Sequence, residues 1–379
     1  MDRYIESLAK EERTVLELSN LLSLFGYKKY RNARFEDYGF YMENREFLAA
    51  EGVITFNGAD GRLMALKPDM TLSIVKNANL CNGSFGKFYY DENVYRFSPE
   101  NRAYREIHQL GLELIGEVGD YEMAEALLLA VKSLDIIDSK CILAISNIVF
   151  FNSVIDEGGF SQKERVELLA AISEKNVHEA EKICERAGSV ISKAIAEMMG
   201  ISGSLKSGLA QLRRIGEAVL GCGEKAKPFF DACAEMERLY DMICNAGAMS
   251  ADGNVKLCDL LELDLCVTSY IDYYSGIIFR GYVRGVPRMV LSGGRYDKLA
   301  EQIGKKPGAV GFAIYLNDLN LYYPKEKNDA DILIVKGGAC DAEVLSEVVR
   351  LTSEGTAVRV ENGKDPNMRA GKVIEWEKK

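Results

Sequence analysis

The clearest pattern in the sequence lies in one run, Arg102-Ala103-Tyr104-Arg105-Glu106-Ile107-His108-Gln109-Leu110-Gly111-Leu112-Glu113. Its alternation of apolar and polar residues predicts a β-strand. Side chains alternate between the two faces of a strand, so Gln109, Gly111 and Glu113 share one face and His108 lies on the other. An amide and a carboxylate, with a glycine between them that leaves room, can bind a small polar ligand.

The residues around this run predict a β-hairpin. Strands are expected over Lys87–Phe97 and Glu106–Ile115, with a polar loop over Ser98–Tyr104 between them. The hairpin concentrates positive charge through Arg96, Arg102 and Arg105. A solvated hairpin with surface arginines is the plainer interpretation, because charged side chains favour the surface. His108 by itself is typical of a packing or hydrogen-bonding residue.

A second segment, Leu66-Lys67-Pro68-Asp69-Met70-Thr71, predicts the start of a helix that continues to about Ala78. Proline is tolerated there because the N–H that it lacks would have no partner in the first turn. Asp69 and Thr71 can accept hydrogen bonds from the first amides of the helix. Asp69 therefore either presents its carboxylate to a cationic amine or only caps the helix.

Two later segments contain tyrosines and glycines. Tyr273 and Tyr274 precede Ser275-Gly276 and an apolar strand, so they either line a pocket or belong to a hairpin core. Residues 293–299, which include Tyr296, are expected to form a glycine-rich turn. Neither segment has the G-x-x-x-x-G-K-S/T or G-x-G-x-x-G pattern of a phosphate-binding loop.

The composition indicates a globular protein. The chain has 379 residues, of which 47% are hydrophobic, and a formal net charge of −10, which does not favour broad nucleic-acid binding. With 2 histidines, and with 9 cysteines that form no C-x-x-C pair, we expect no metal site and no cofactor. The start has neither a signal-peptide core nor a membrane-spanning run behind it, which predicts a cytoplasmic protein.

Patterning along the chain predicts two domains. The main domain covers 1–324 and contains a helical insertion at about 157–247, which is rich in Ala, Glu and Lys. A short unit over 328–379 follows. It shows strand character at Ile332–Lys336, helical character at Asp341–Ser353 and strand character at Ala357–Val360, the order of a small α/β module.

In this order, the segments make the chain similar to the catalytic domain of histidyl-tRNA synthetases over about residues 10–320. The matching segments are Phe25-Gly26-Tyr27, Leu66–Thr71, His108–Glu113, Asp272–Gly276 with Phe279, Gly293–Asp297, and Ala309–Phe312. The resemblance implies the α+β class II aminoacyl-tRNA synthetase fold, an antiparallel sheet flanked by helices that is normally dimeric. It also makes the last unit a shortened anticodon-binding domain.

The chain departs from these synthetases where they handle phosphate. They have an arginine at the positions of Ser269 and Asp318, a glutamate at Ser98, and a proline at the position of Ala33. A carboxylate at position 318 repels the nucleotide that an arginine would stabilise. We therefore expect that synthetase activity is lost and that the chain is not itself an enzyme.

The positions that resemble the histidine-binding residues are largely retained. By this resemblance, the residues expected to bind L-histidine are Asp69, Thr71, Arg96, Gln109, Glu113, Tyr273, Tyr274 and Tyr296. A chain that has a histidine pocket but lacks the activation chemistry resembles the regulatory subunits of ATP phosphoribosyltransferase, which are a family of synthetase paralogues.

This second resemblance implies partners and a role. The chain would form a homodimer and join a short ATP phosphoribosyltransferase catalytic subunit in a hetero-oligomer. It would activate that subunit and mediate histidine feedback in the first step of histidine biosynthesis, without a tRNA partner. The alternative is an active histidyl-tRNA synthetase, or another ligase on the same fold, and either would require ATP.

Overall fold

The computed structural model describes residues 8, 10–31, 33–48, 52–78, 85–98, 102–267, 274–303, 308–320, 328–363 and 368–376. By its contacts the chain divides into two compact units, one comprising residues 15–321 and the other residues 1–14 with 322–379. The predicted domain boundary at residue 324 lies outside the described residues and stays a prediction.

Strands and helices alternate irregularly before residue 321. The strands are β1 (Lys28–Lys29), β2 (Phe35–Asp37), β3 (Thr55–Asn57), β4 (Leu63–Leu66), β5 (Gly86–Ser98), β6 (Ala103–Ile115), β7 (Cys141–Asn147), β8 (Leu261–Leu263), β9 (Ile277–Val283), β10 (Leu291–Arg295) and β11 (Ala309–Tyr315). The first helices are α1 (Lys10–Leu24), α2 (Tyr38–Glu43), α3 (Met70–Asn77), α4 (Asp120–Ile137) and α5 (Ile148–Asp156). The later helices are α6 (Gln162–Ser173), α7 (Val177–Arg186), α8 (Ser192–Met199), α9 (Leu205–Leu220), α10 (Lys227–Asn245), α11 (Asp297–Gln302) and α12 (Leu316–Asn320).

A large central sheet organises this unit. Its strand order is β1-β5-β6-β11-β10-β9-β7-β8, and every pair is antiparallel except β1 with β5 and β7 with β8. A small antiparallel sheet has the order β2-β4-β3. Helices α6 to α10 follow one another within the predicted insertion. The sequence predicts an α+β fold built on an antiparallel sheet with helices, and the structure has this architecture.

The β5–β6 hairpin is longer than predicted. Ser98 pairs with Ala103, so the expected loop over Ser98–Tyr104 is wrong and residues 103 and 104 belong to the second strand. The ladder is extended by Phe97 and Tyr104, which pair across the strands with ring centroids 5.4 Å apart. Such cross-strand aromatic pairs stabilise a sheet.

Glycines distinguish the two faces of the central sheet. A Cβ at Gly281 would lie 2.6 Å from Cδ2 of Leu134, so this face packs on α4. On the opposite face, a Cβ at Gly111 would lie 2.6 Å from the Tyr90 hydroxyl, and one at Gly294 would lie 2.8 Å from Cδ1 of Tyr274. We call this second face, marked by Gly111, Gly294 and Glu113, the pocket face.

The prediction of a glycine-rich turn over 293–299 is wrong at its start. Gly293 and Gly294 lie inside β10, paired with β9 and β11 on either side. A Cβ at Gly293 would approach Cε2 of Phe279 within 2.7 Å, so a larger residue cannot occupy this crowded strand. The glycines serve close packing within a sheet rather than a turn.

The C-terminal unit is a small α/β module. Strands β12 (Ala330–Val335), β13 (Val358–Glu361) and β14 (Ala370–Glu375) form a parallel sheet in the order β13-β12-β14. Helix α13 (Asp341–Ser353) packs on it through buried Val344 and Leu351 against Ile334. The predicted strand–helix–strand order is confirmed, and β14 adds a third strand.

Candidate functional site

Glu113 is the centre of a buried polar cluster on the pocket face. It lies on β6 with 2% of its surface exposed. Its Oε1 accepts a hydrogen bond of 2.6 Å from the Thr71 hydroxyl, and its Oε2 accepts one from the Tyr296 hydroxyl. The two hydroxyls come from the first turn of α3 and from the residue before α11. Two parts of the chain that are distant from β6 therefore hold this side chain in place.

Asp69 both caps a helix and forms an ion pair. Its Oδ1 accepts the N–H of Leu72 at 2.9 Å, which satisfies a free amide of α3. Its Oδ2 accepts a hydrogen bond from Nη2 of Arg96 at 3.2 Å. Arg96 also donates from Nε to the Pro68 carbonyl at 2.8 Å. The cap that the sequence predicts is thus confirmed, and it leaves a second oxygen directed at the hairpin.

Gln109 and Tyr274 complete the predicted set on this face. Gln109 is 2% exposed and lies on β6 with the same alternation as Glu113. The Tyr274 ring lies over Gly294, and its hydroxyl forms a hydrogen bond with the Ser292 hydroxyl. The structure therefore brings together most of the residues predicted to bind histidine.

Tyr90 is a residue of this cluster that the sequence analysis missed. It pairs with Gly111 across β5 and β6, and its hydroxyl occupies the space that a side chain at position 111 would need. The signal was present in the alternation along β5, which places Tyr90 and Arg96 on one face. Only the register of the hairpin shows that this face is the one that carries Glu113.

The cluster has unusual acid–base properties. Burial raises the pKa of Glu113 to about 8, the negative charge of Asp69 adds to the rise, and the hydrogen bonds from Thr71 and Tyr296 oppose it. Burial also raises the pKa of the Tyr274 and Tyr90 phenols above their ordinary value. A carboxyl group that retains its proton at neutral pH can both donate and accept a hydrogen bond.

Some predicted residues are not part of this description. Tyr273 and Ser269 lie outside the described residues. Asp318 lies in the short helix α12. Arg105 is exposed on the hairpin, where it pairs with Arg96 across the strands.

His108 lies on the face opposite Glu113, as the alternation predicts. Its Nε2 is 2.7 Å from Oδ1 of Asp91. This hydrogen bond lowers the pKa of the Asp91 carboxyl. His108 is therefore a hydrogen-bonding residue and not a pocket residue.

The described residues contain neither a metal-binding group nor a membrane-spanning helix. No group of three or more His, Cys, Asp or Glu side chains in the described parts of the chain is arranged to hold a metal ion. Among the described helices, none combines the length and apolar character needed to cross a membrane.

The arrangement suits a small cationic, hydrogen-bond-donating ligand. Two carboxyl groups, those of Asp69 and Glu113, lie near hydroxyl groups and an amide, in a site with little solvent exposure. Hydrogen bonds to charged groups are stronger than neutral ones, and they are strongest where water is excluded. An ammonium and an aromatic N–H are the donors that such acceptors recognise.

Comparison with known proteins places the chain in a family. A family model described as histidyl-tRNA synthetase matches residues 1–319. The chain belongs to the histidyl-tRNA synthetase family. The central sheet described above is therefore that of the class II aminoacyl-tRNA synthetase fold.

Relatives in this family point to one branch of it. The chain is 31% identical over 320 residues to an ATP phosphoribosyltransferase regulatory subunit of Thermoanaerobacter sp. (strain X514), covering 80% of this chain and 76% of the relative. A solved ATP phosphoribosyltransferase regulatory subunit/histidyl-tRNA synthetase from Bacillus halodurans has a TM-score of 0.73 at 20% identity, covering 97% of this chain and 94% of the other. A chain in the ATP phosphoribosyl transferase (HisG:HisZ) complex from Thermotoga maritima has a TM-score of 0.57 at 17% identity, covering 81% and 97%. The chain, a member of the histidyl-tRNA synthetase family, is thus similar to ATP phosphoribosyltransferase regulatory subunits.

Proposed function

We propose that the chain is a non-catalytic regulatory subunit of ATP phosphoribosyltransferase and that it binds L-histidine at the Glu113 cluster. The observation that carries the proposal is the position of Glu113, which is buried between the Thr71 and Tyr296 hydroxyls and lies on the same face as Gln109. In this role the chain activates a short catalytic subunit and transmits histidine feedback to it.

The chemistry of histidine supports this ligand. Its imidazole ring has two nitrogens, and a carboxylate has about four acceptor sites, so Glu113 can accept a ring N–H beside the two hydroxyl donors. Asp69 supplies the opposite charge for the ammonium group. A site that pairs these polar groups rejects leucine or phenylalanine, because its buried acceptors would be left without partners.

The names of the relatives support a catalytic subunit as the partner of this chain. The Thermoanaerobacter protein is named as a regulatory subunit, and the Thermotoga maritima structure is a complex. We infer that this chain forms a homodimer, joins a catalytic subunit in the cytoplasm and has no tRNA partner. Closed symmetry is the expected form of such an assembly.

Loss of synthetase chemistry is the part of the proposal that separates it from a ligase. Ser269 and Asp318 occupy the positions where the resemblance requires arginines that neutralise phosphate charge. Without two such donors, at about 2–4 kcal/mol each, amino-acid activation slows by several powers of ten.

A reconstitution experiment tests the whole proposal. A short-form catalytic subunit is assayed alone, with this chain, and with this chain plus histidine. We expect turnover to rise when this chain is added and to fall again with histidine. A mixture that shows no complex by light scattering at micromolar concentrations, or histidine-dependent exchange of pyrophosphate into ATP by this chain alone, contradicts the proposal.

A further inference from the structure

The histidine pocket needs a cation for the carboxylate of its ligand. This requirement rests on the proposed function, in which the ligand is histidine. Asp69 and Glu113 are both acidic, and Arg96 already donates to Asp69 and to the Pro68 carbonyl. Arg105 is exposed on the hairpin. A positive charge elsewhere on the pocket face would complete the recognition of a zwitterionic amino acid.

Strand alternation places Arg280 on the pocket face. Its neighbour in β9, Gly281, faces Leu134 of α4 on the opposite side of the sheet. Phe279, the neighbour on the other side, likewise lies against Gly293 and Phe312 on that face. Since successive side chains point to opposite faces, Arg280 points toward the side where Tyr274 and Glu113 lie.

The register places Arg280 in line with the small residues of the pocket face. Arg280 pairs with Ser292, Ser292 pairs with Ala313, and Ala313 pairs with Gly111. Neighbouring strands are about 4.8 Å apart, so the backbones of Ser292 and Ala313 lie roughly 4.8 and 9.6 Å from the backbone of Arg280. None of these small side chains blocks a long arginine from reaching along the row.

The same row connects Arg280 to the residues that hold the imidazole. The Ser292 hydroxyl forms a hydrogen bond with the Tyr274 hydroxyl, and Tyr274 lies over Gly294 in the adjacent row. That adjacent row also contains Gly311 and Glu113, which pair directly. A ligand with its ring at Glu113 and Tyr274 can therefore extend its carboxylate over Ser292 and Ala313, toward Arg280.

We propose that Arg280 binds the carboxylate of the amino-acid ligand. Arginine suits this role, because its planar guanidinium matches a carboxylate with two parallel hydrogen bonds. An acidic residue also lies on this row, since Glu262 pairs with Ala144, which in turn pairs with Arg280. The test must therefore separate ligand binding from pairing with Glu262.

Calorimetry with histidine and with histamine, which lacks only the carboxylate, makes the test specific. In the full chain, Arg280→Gln should weaken histidine binding by about 10- to 150-fold, and it should leave histamine binding unchanged. Arg280→Lys should lose less, because it keeps the charge. Arg284→Gln, an exposed arginine beyond the end of the same strand, is the matched control and should bind both ligands normally.

Each other outcome overturns the inference in a distinct way. If Arg280→Gln weakens histidine and histamine equally, or if Glu262→Gln reproduces its effect, Arg280 has only a structural role. If Arg280→Gln binds histidine as the unaltered chain does, the carboxylate is bound elsewhere and the proposed pocket stands. If the unaltered chain binds no histidine while it still activates the catalytic subunit, the histidine pocket fails and this inference fails with it.

Discussion

Gly311 lies directly opposite Glu113 in the β6–β11 pair, and a Cβ at position 311 would occupy the place of the Glu113 carboxylate. The absence of one side chain therefore creates the space in which the buried carboxylate meets Thr71 and Tyr296. Gly311, which lies about two hundred residues after Glu113 in the sequence, thus determines the geometry of the candidate site.

Gly311→Ala should displace Glu113 and abolish the histidine pocket. Overpacking in a tight interior typically costs about 1–3 kcal/mol, and the displaced carboxylate loses its hydroxyl partners. We expect a lower Tm and loss of histidine binding by calorimetry. Gly223→Ala is the control, because a Cβ there has nothing within 4 Å. A Gly311→Ala chain that binds histidine normally would contradict the geometry.

Glu113→Ala should weaken histidine binding about 10- to 150-fold. The reason is that the ring N–H of the ligand loses a buried hydrogen-bond partner, which typically costs ~1.5–3 kcal/mol. Titration calorimetry on the isolated chain and on its complex measures this change. Glu117→Gln, an exposed glutamate just beyond β6, should have no effect. Unchanged affinity in Glu113→Ala would place the ligand elsewhere.

Stability should depend on pH through Glu113. Its pKa is raised from the ordinary 4.5 to about 8, so the folded chain retains a proton that the unfolded chain releases. The contribution is fully present below pH 4.5 and is lost as the pH rises toward 8, with a slope of up to about 1.4 kcal/mol per pH unit. Melting curves from pH 5 to 8.5 should show that Glu113→Gln removes this slope. Parallel curves for the two chains would show that Glu113 does not titrate there.

Asp69→Asn should separate the capping role from the charge. Asparagine is as good an N-cap as aspartate, so the hydrogen bond to the Leu72 amide and most of the stability should remain. The negative charge that faces Arg96 and the ligand ammonium is lost, so histidine affinity should fall at least 10-fold. Asp69→Ala removes both roles and should also lower the free energy of unfolding by about 1 kcal/mol, because the cap is lost; a lower Tm would report this. If Asp69→Asn binds histidine fully, Asp69 is only a cap.

Ser269→Arg alone should not create amino-acid activation. The aspartate at position 318 would still repel the nucleotide, since it stands where the resemblance requires an arginine. The measurement is histidine-dependent exchange of labelled pyrophosphate into ATP, with an authentic histidyl-tRNA synthetase as positive control. Robust exchange in the single variant would show that position 318 does not limit activation.

Local signals in the sequence determined much of this protein. The start of α3 follows from Asp69, whose side chain caps the helix, because caps depend on residues a few positions apart. The bounds of α13, Asp341–Ser353, follow from helical periodicity. Alternation along β6 was sufficient to place Gln109 and Glu113 on one face and His108 on the other.

Only the tertiary structure decided which distant residues share that face. Whether Gly293 and Gly294 form a turn or a crowded strand depends on Phe279 and Phe312, which lie on neighbouring strands. The places of Tyr90 and Arg280 depend on register, and a slip of one residue would move each to the other face of the sheet. Capping and periodicity act over a few residues, whereas register is set by the packing of the whole sheet. The sequence therefore indicated most members of the site, whereas the packed sheet added Tyr90 and determined how the members meet.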